Sequence, residues 1–140
     1  SAWTEINVTK LSEPSLQGFF RQRISLALAR YNAEIGLVPI VVPDSPRTAD
    51  LILKRYRPGG DEGFQTHFDS INEVANRYLV FLWYLNDVAE GGETDFPQIE
   101  VKVAARAGRL VIFPPYWMFQ HAGLAPRSTA KYILSTYLLF

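Results

Sequence analysis

Arg77-Tyr78-Leu79-Val80-Phe81-Leu82-Trp83-Tyr84-Leu85 is long and largely apolar, and it ends at the turn residues Asn86-Asp87. Its length and composition predict a strand. Downstream, Glu90-Gly91-Gly92-Glu93 signals a turn, and the Gly-Gly and Phe96-Pro97 pairs shape a hairpin rather than perform chemistry. A fourth strand is predicted over 94–104, where Ile99, Val101 and Val103 alternate, and a fifth over 109–113, stopped by Pro114-Pro115. A short strand over 119–122 and a very apolar one over 131–140 complete this side. Upstream, 50–56 reads as a strand closed by Pro58-Gly59-Gly60, and 64–69 as another.

The first third reads differently. Ser12-Glu13-Pro14-Ser15 offers cap residues and an early proline. Leu16, Phe19, Phe20, Ile24, Leu26, Leu28 and Ala29 then roughly follow helical spacing to about Tyr31, and Gly36 ends the helix. Segment 38–46 holds Pro39, Pro43 and Pro46 and is expected to be extended or loop. A helical layer followed by about seven short strands predicts a mainly β (α+β) fold, either a sandwich or a jelly roll with N-terminal helical support. One domain over 1–140 is expected, with helical support over about 1–48 and the β core over about 49–140.

Composition narrows the function. The 140 residues suit one core, and 48% apolar content is enough to pack it. The 14 basic and 14 acidic residues cancel, and no basic stripe is present, which argues against a nucleic-acid partner. No apolar run approaches the roughly 20 residues that span a bilayer, so no membrane segment is expected. Ser1-Ala2-Trp3-Thr4-Glu5 has neither the basic start nor the apolar core of a signal peptide. The absent initiator Met leaves room for a longer parent protein. With no cysteine, disulfides, iron–sulfur clusters, thiolate zinc and a cysteine nucleophile are all removed. A leaderless, cysteine-free chain is most simply cytoplasmic.

The chain has two histidines, in Gln65-Thr66-His67-Phe68-Asp69 and Phe119-Gln120-His121-Ala122-Gly123. His67 and Asp69 are two apart, so on a strand both side chains leave one face. His121 can complete a set of two imidazoles and one carboxylate, the facial triad of non-haem Fe(II) oxygenases, which leaves coordination positions open. Asp95 is a second carboxylate near a turn, but strand geometry favours Asp69. Lys131 opens a very apolar last strand, where an ammonium is costly to bury without an anion.

An ordered set of fragments then resembles a known family. In sequence they are Tyr56-Arg57-Pro58-Gly59-Gly60, His67-Phe68-Asp69, Arg77, Tyr84-Leu85-Asn86-Asp87 and Glu90-Gly91-Gly92-Glu93-Thr94-Asp95-Phe96-Pro97. Gly108-Arg109-Leu110-Val111-Ile112-Phe113-Pro114, His121-Ala122-Gly123 and Lys131 follow. The chain is similar, over about 49–140, to the prolyl 4-hydroxylase-like 2-oxoglutarate- and Fe(II)-dependent dioxygenases. That resemblance implies a double-stranded β-helix, with His67, Asp69 and His121 as ligands of Fe(II). It implies that Lys131 pairs with the distal carboxylate of 2-oxoglutarate, that Tyr84 hydrogen-bonds it, and that Tyr56 lines the same pocket. Arg77 matches a substrate-contacting arginine, and Trp117 is a candidate substrate wall. The implied reaction consumes O2 and 2-oxoglutarate, with ascorbate as auxiliary reductant, and hydroxylates a C–H bond while releasing succinate and CO2.

Peptidyl proline is the family's default substrate. The link from Asp69 to Arg77 is only Ser70 to Asn76, which keeps a free amino acid or small metabolite open. A nucleic-acid demethylase of the same superfamily is disfavoured by zero net charge and by Arg127 followed only by Lys131 in place of an arginine pair. A cupin-type enzyme would usually show more histidines. A non-catalytic 2-oxoglutarate-binding or interaction domain is the rival of a different class.

Overall fold

The structure, a computed structural model, describes residues 3–36 and 47–140. Segment 38–46, expected to be extended or loop, lies outside the described residues.

The apolar run forms strand β5 (Arg77–Tyr84), and both of its faces are covered. Val80, Leu82 and Tyr84 enter one core with Tyr56, Phe96, Phe113 and Ile133. Leu79, Phe81 and Trp83 enter a second with Ile24, Leu51, Leu134 and Leu138. A strand buried on both faces reads as a continuous apolar run rather than an alternating one, which is why 77–84 shows no period.

The chain orders as β1 (Thr4–Asn7), α1 (Val8–Leu11), α2 (Pro14–Ile35), β2 (Arg47–Thr48), β3 (Ile52–Tyr56), β4 (Phe64–His67) and β5. Then come β6 (Thr94–Phe96), β7 (Val101–Val103), β8 (Leu110–Phe113), β9 (His121–Gly123) and β10 (Lys131–Leu139). One sheet runs β1-β3-β10-β5-β8, with β2 also paired to β10, and the other runs β4-β9-β6-β7. All pairings are antiparallel. The first core collects residues of both sheets, the arrangement of a jelly roll. Helix α2 covers the outer face of the larger sheet through Phe20, Ile24, Ala27, Leu28 and Tyr31.

Helix α2 starts with Pro14 in its first turn and ends at Gly36 in the left-handed conformation (φ 63°). Its buried stripe is narrower than the apolar pattern implied, since Leu16, Phe19 and Leu26 are exposed.

Three expectations need correction. The N-terminal part is not purely helical support, because Thr4–Asn7 pairs with β3 as an edge strand. The strand expected over 94–104 is broken into β6, a 3-10 turn at Pro97–Ile99 and β7, with Glu100 at φ 56°. Pro97 withholds a ladder N–H and Glu100 adopts a left-handed turn, so the alternation of Ile99, Val101 and Val103 does not belong to one strand. Residues 119–122 divide between a 3-10 turn at Trp117–Phe119 and β9. The Gly-Gly turn has both glycines at positive φ, and a Cβ on Gly91 would lie 2.3 Å from the Ala125 carbonyl oxygen.

Candidate metal centre

His67 and His121 are register partners across β4 and β9. Directly opposed residues of an antiparallel pair share a face, and the two ring centroids are 4.6 Å apart. Asp69 is not on the strand. It lies two residues beyond the end of β4, where the Asp69 and Ser70 N–H groups donate to the Pro115 carbonyl at 3.1 and 3.0 Å. The Pro114-Pro115 break after β8 thus aims the carboxylate that strand alternation alone was expected to place. Asp69 Oδ1 is 3.0 Å from His67 Nε2, and Oδ2 is 3.4 Å from His121 Nε2. One donor atom from each of the three residues falls within 4.8 Å of the others.

Both imidazoles are oriented by the same local contact. His67 Nδ1–H donates to the Gln65 carbonyl at 2.7 Å, and His121 Nδ1–H to the Phe119 carbonyl at 3.0 Å. Such contacts put the proton on Nδ1 and turn the Nε2 lone pair inward. A lone pair facing a carboxylate is repulsive, so the cluster calls for a proton or a cation between its members. Among the described residues, Asp69 Oδ2 is buried without a hydrogen-bond partner. Two Nε2 atoms and a buried, under-satisfied carboxylate fit a divalent ion that accepts mixed imidazole and carboxylate ligands.

Protonation follows the surroundings. Burial pushes the Asp69 carboxyl up, but the His67 hydrogen bond and the His121, His67 and Arg77 charges outweigh it and hold it below its ordinary value. The Asp69 hydrogen bond raises His67, whose side chain is 40% exposed. Burial lowers His121, which is walled by Phe113, Phe64 and Phe96 with ring centroids 4.8, 5.7 and 5.7 Å away.

The Phe64 ring also packs on His67 at 5.1 Å and leans into space that Gly123 leaves free. A Cβ on Gly123 would sit 2.3 Å from Phe64 Cε1. Gly123→Ala must therefore press the ring onto both histidines. The expected cost is about 1–3 kcal/mol of unfolding free energy, with weakened divalent-metal binding. Denaturant melts and metal titration check this; wild-type values in both would mean that Phe64 swings away freely.

Across the interior, Lys131 and Tyr56 are register partners on β10 and β3, and both are 1% exposed. The Lys131 ammonium lies 5.3 Å from the Tyr56 ring centroid and 5.7 Å from that of Tyr84. It makes no hydrogen bond or ion pair among the described residues. Burial pushes its pKa down to about 8, partly opposed by the Glu93 charge. Among the described residues the buried Tyr56 hydroxyl has no hydrogen-bond partner, whereas the Tyr84 hydroxyl bonds Thr94 Oγ1 at 2.5 Å. An ammonium without a paired anion among the described residues is suited to receive one.

Arg77 Nη1 donates to the Asp69 main-chain oxygen at 3.2 Å, and its guanidinium lies 3.9 Å from the Tyr137 ring centroid. Trp117 is elsewhere: it is exposed and lines an apolar groove with Tyr31, Ile35, Tyr78 and Met118 that excludes His67, Asp69 and His121. Sequence reasoning missed Phe64, Thr94, Trp3 and Lys54. Trp3 and Phe64 line a cavity with Gln65, Thr66 and His67. Their signal, an aromatic close to a strand that carries a ligand, is too common to single them out.

Comparison with known proteins adds the following. A family model described as "2OG-Fe(II) oxygenase superfamily" matches residues 51–139. No curated protein matches the chain. Among solved structures, the viral collagen prolyl hydroxylase of Paramecium Bursaria Chlorella virus-1, in its 2OG complex, is similar with a TM-score of 0.75 at 20% identity. That match covers 98% of this chain and 79% of the viral one. A Pseudomonas putida prolyl-4-hydroxylase is similar with a TM-score of 0.66 at 18% identity, covering 98% and 70%. A Trichoplax adhaerens prolyl hydroxylase in complex with a hypoxia inducible factor peptide fragment gives 0.57 at 22%, covering 66% and 44%. At these identities the structural likeness speaks for the fold.

Proposed function

The chain belongs to the 2OG-Fe(II) oxygenase superfamily, and on that premise we propose that it hydroxylates a prolyl residue in a peptide or protein. Fe(II), 2-oxoglutarate and O2 are the cofactor, cosubstrate and oxidant of such a dioxygenase. The observation that carries the reading is the pairing of two sites in one interior: a His67–Asp69–His121 donor set and a buried Lys131 that makes no ion pair among the described residues.

In this reading His67 Nε2, Asp69 and His121 Nε2 hold the iron. O2 is the oxidant: bound iron would activate it, with two electrons coming from 2-oxoglutarate as it loses CO2 to become succinate and two from the C–H bond, so that one oxygen atom ends in succinate and the other in C–OH. The rest falls to the chain. Gln65 and Phe119 carbonyls hold the imidazoles in their ligating tautomer. Lys131 orients the cosubstrate through its distal carboxylate, with the Tyr56 hydroxyl as a second donor. Phe64, Phe96 and Phe113 keep water from the His121 side. Arg77, anchored on Asp69, faces the substrate side.

The names of the structural neighbours support the prolyl target. The short connection between Asp69 and β5, a single 3-10 turn at Asn72–Val74, supports the second reading, a free amino acid or small metabolite. Anaerobic titration of the Fe(II)-loaded protein with 2-oxoglutarate, followed by O2 and proline peptides, decides. The expected results are a visible charge-transfer band that needs both iron and cosubstrate, and faster succinate formation with a peptide. A band with acceleration only by free proline would select the second reading. No band and no iron retention would leave a non-catalytic binding domain.

A further inference from the structure

Lys54 is a cation to which the reaction above gives no role. On β3 it shares a face with Ile52 and Tyr56, and its register partner on β10 is the core residue Ile133. It therefore points inward, toward the metal donors. Its charge lowers both His67 and His121, and Asp69 in turn acts on it. The ammonium lies 5.0 Å from the Trp3 ring centroid, and among the described residues it makes no hydrogen bond or ion pair. Its cross-strand carboxylate, Glu5, accepts from Trp3 Nε1 at 2.8 Å; the Glu5 and Asp69 charges favour the ammonium, but burial outweighs them and holds its pKa below the ordinary value.

Arg77 adds a second positive charge to the same space, and the two cations repel each other. Arg77 is fixed there by Asp69 and Tyr137. An aliphatic side chain would fill the place of Lys54 beside Ile133 without the penalty of a half-buried charge. An anion arriving between Lys54 and Arg77 would offset their repulsion and the part of the burial penalty that Glu5 and Asp69 leave uncompensated. The cosubstrate's distal carboxylate has its own receptor at Lys131, so the remaining visitor to this space is the substrate.

We propose that Lys54, with Arg77 as the second cation, receives a carboxylate of the substrate, so that an acid-bearing target is preferred over its uncharged amide. The proposal rests on the oxygenase reading for where the substrate lies. The carboxylate has two sources, an acidic side chain next to the target in a peptide or the α-carboxylate of a free amino acid.

The test is calorimetric binding to Mn(II)-loaded protein saturated with 2-oxoglutarate, where no turnover interferes. The probes are acetyl-Ala-Pro-Glu-Ala-amide against its Gln analogue, L-proline against L-prolinamide, and the Glu and Gln peptides with alanine in place of proline. The acid member of one pair is expected to bind about tenfold or more tightly in the wild type, and which pair shows it identifies the source. Lys54→Met should bring that ratio to about one, and Lys54→Arg should keep it. Equal or undetectable binding of both members of every pair overturns the proposal, whether or not Lys54→Met folds. So does a ratio that survives Lys54→Met. Acid preference in the alanine peptides with no gain from proline would keep the receptor and discard the prolyl reading. Proline preference without acid preference would do the reverse.

Discussion

His67→Ala is expected to reduce 2-oxoglutarate turnover to background while leaving a folded protein. The loss should exceed the 10–100-fold range typical of contacts that only support a metal ligand, because the imidazole is proposed to bind the metal itself. The choice between the two histidines matters. The His121 side chain is 4% exposed and packed among Phe64, Phe96 and Phe113, so its truncation opens a cavity in the core as well as removing a donor. The His67 side chain is 40% exposed at the end of β4, so its removal disturbs packing far less. An inactive His121→Ala could be inactive through its fold, whereas an inactive His67→Ala with a wild-type melting curve isolates the chemistry. Metal content after dialysis and succinate formation are the two readouts. Full residual activity in His67→Ala would mean that the three donors are a hydrogen-bonded polar cluster and nothing more.

The parts of the fold legible in the sequence were those set by local pattern. The β5 run, the helix between Pro14 and Gly36 and the last strand all announce themselves through composition and end signals. What stayed hidden depends on contacts distant in sequence. Nothing in Thr4–Asn7 marks it as a strand until β3 lies beside it, about fifty residues on. The 94–104 stretch alternates convincingly, yet Pro97 and Glu100 break it. At the site, the convergence of His67, Asp69 and His121 was readable because a candidate metal site is recognised by residue type, and the three donor atoms do lie within 4.8 Å of one another. The route was only partly right, since Asp69 is aimed by the Pro115 carbonyl and not by strand alternation. Lys54 was unreadable for the opposite reason. In Ile52-Leu53-Lys54-Arg55-Tyr56 either of two adjacent cations can face solvent, and only the register with Ile133 tells which one turns inward.

Lys131→Met separates cosubstrate binding from metal binding, and its effects should run in opposite directions for affinity and stability. Removing one partner of a buried ion pair costs about 3–5 kcal/mol, so 2-oxoglutarate affinity should fall by roughly 100-fold or more. Metal affinity should largely survive, since Lys131 is not among the three donors. Without cosubstrate the same ammonium is a burden. Its pKa falls from 10.5 to about 8, a penalty on the order of 3 kcal/mol, which methionine of similar volume avoids. The sign follows from proton counts. Between pH 8 and 10.5 the unfolded chain binds this proton and the folded chain does not, so this group makes the cosubstrate-free protein more stable as pH rises through that window. Affinity for the dianionic cosubstrate requires the proton, and should fall as pH rises through about 8. Wild type should thus show opposed slopes of stability and 2-oxoglutarate affinity across this window, and Lys131→Met should lose the contribution of this group to both. Equal cosubstrate affinity in wild type and variant would remove Lys131 from the pocket. Equal stability slopes would mean that Glu93 already compensates the charge in the free protein.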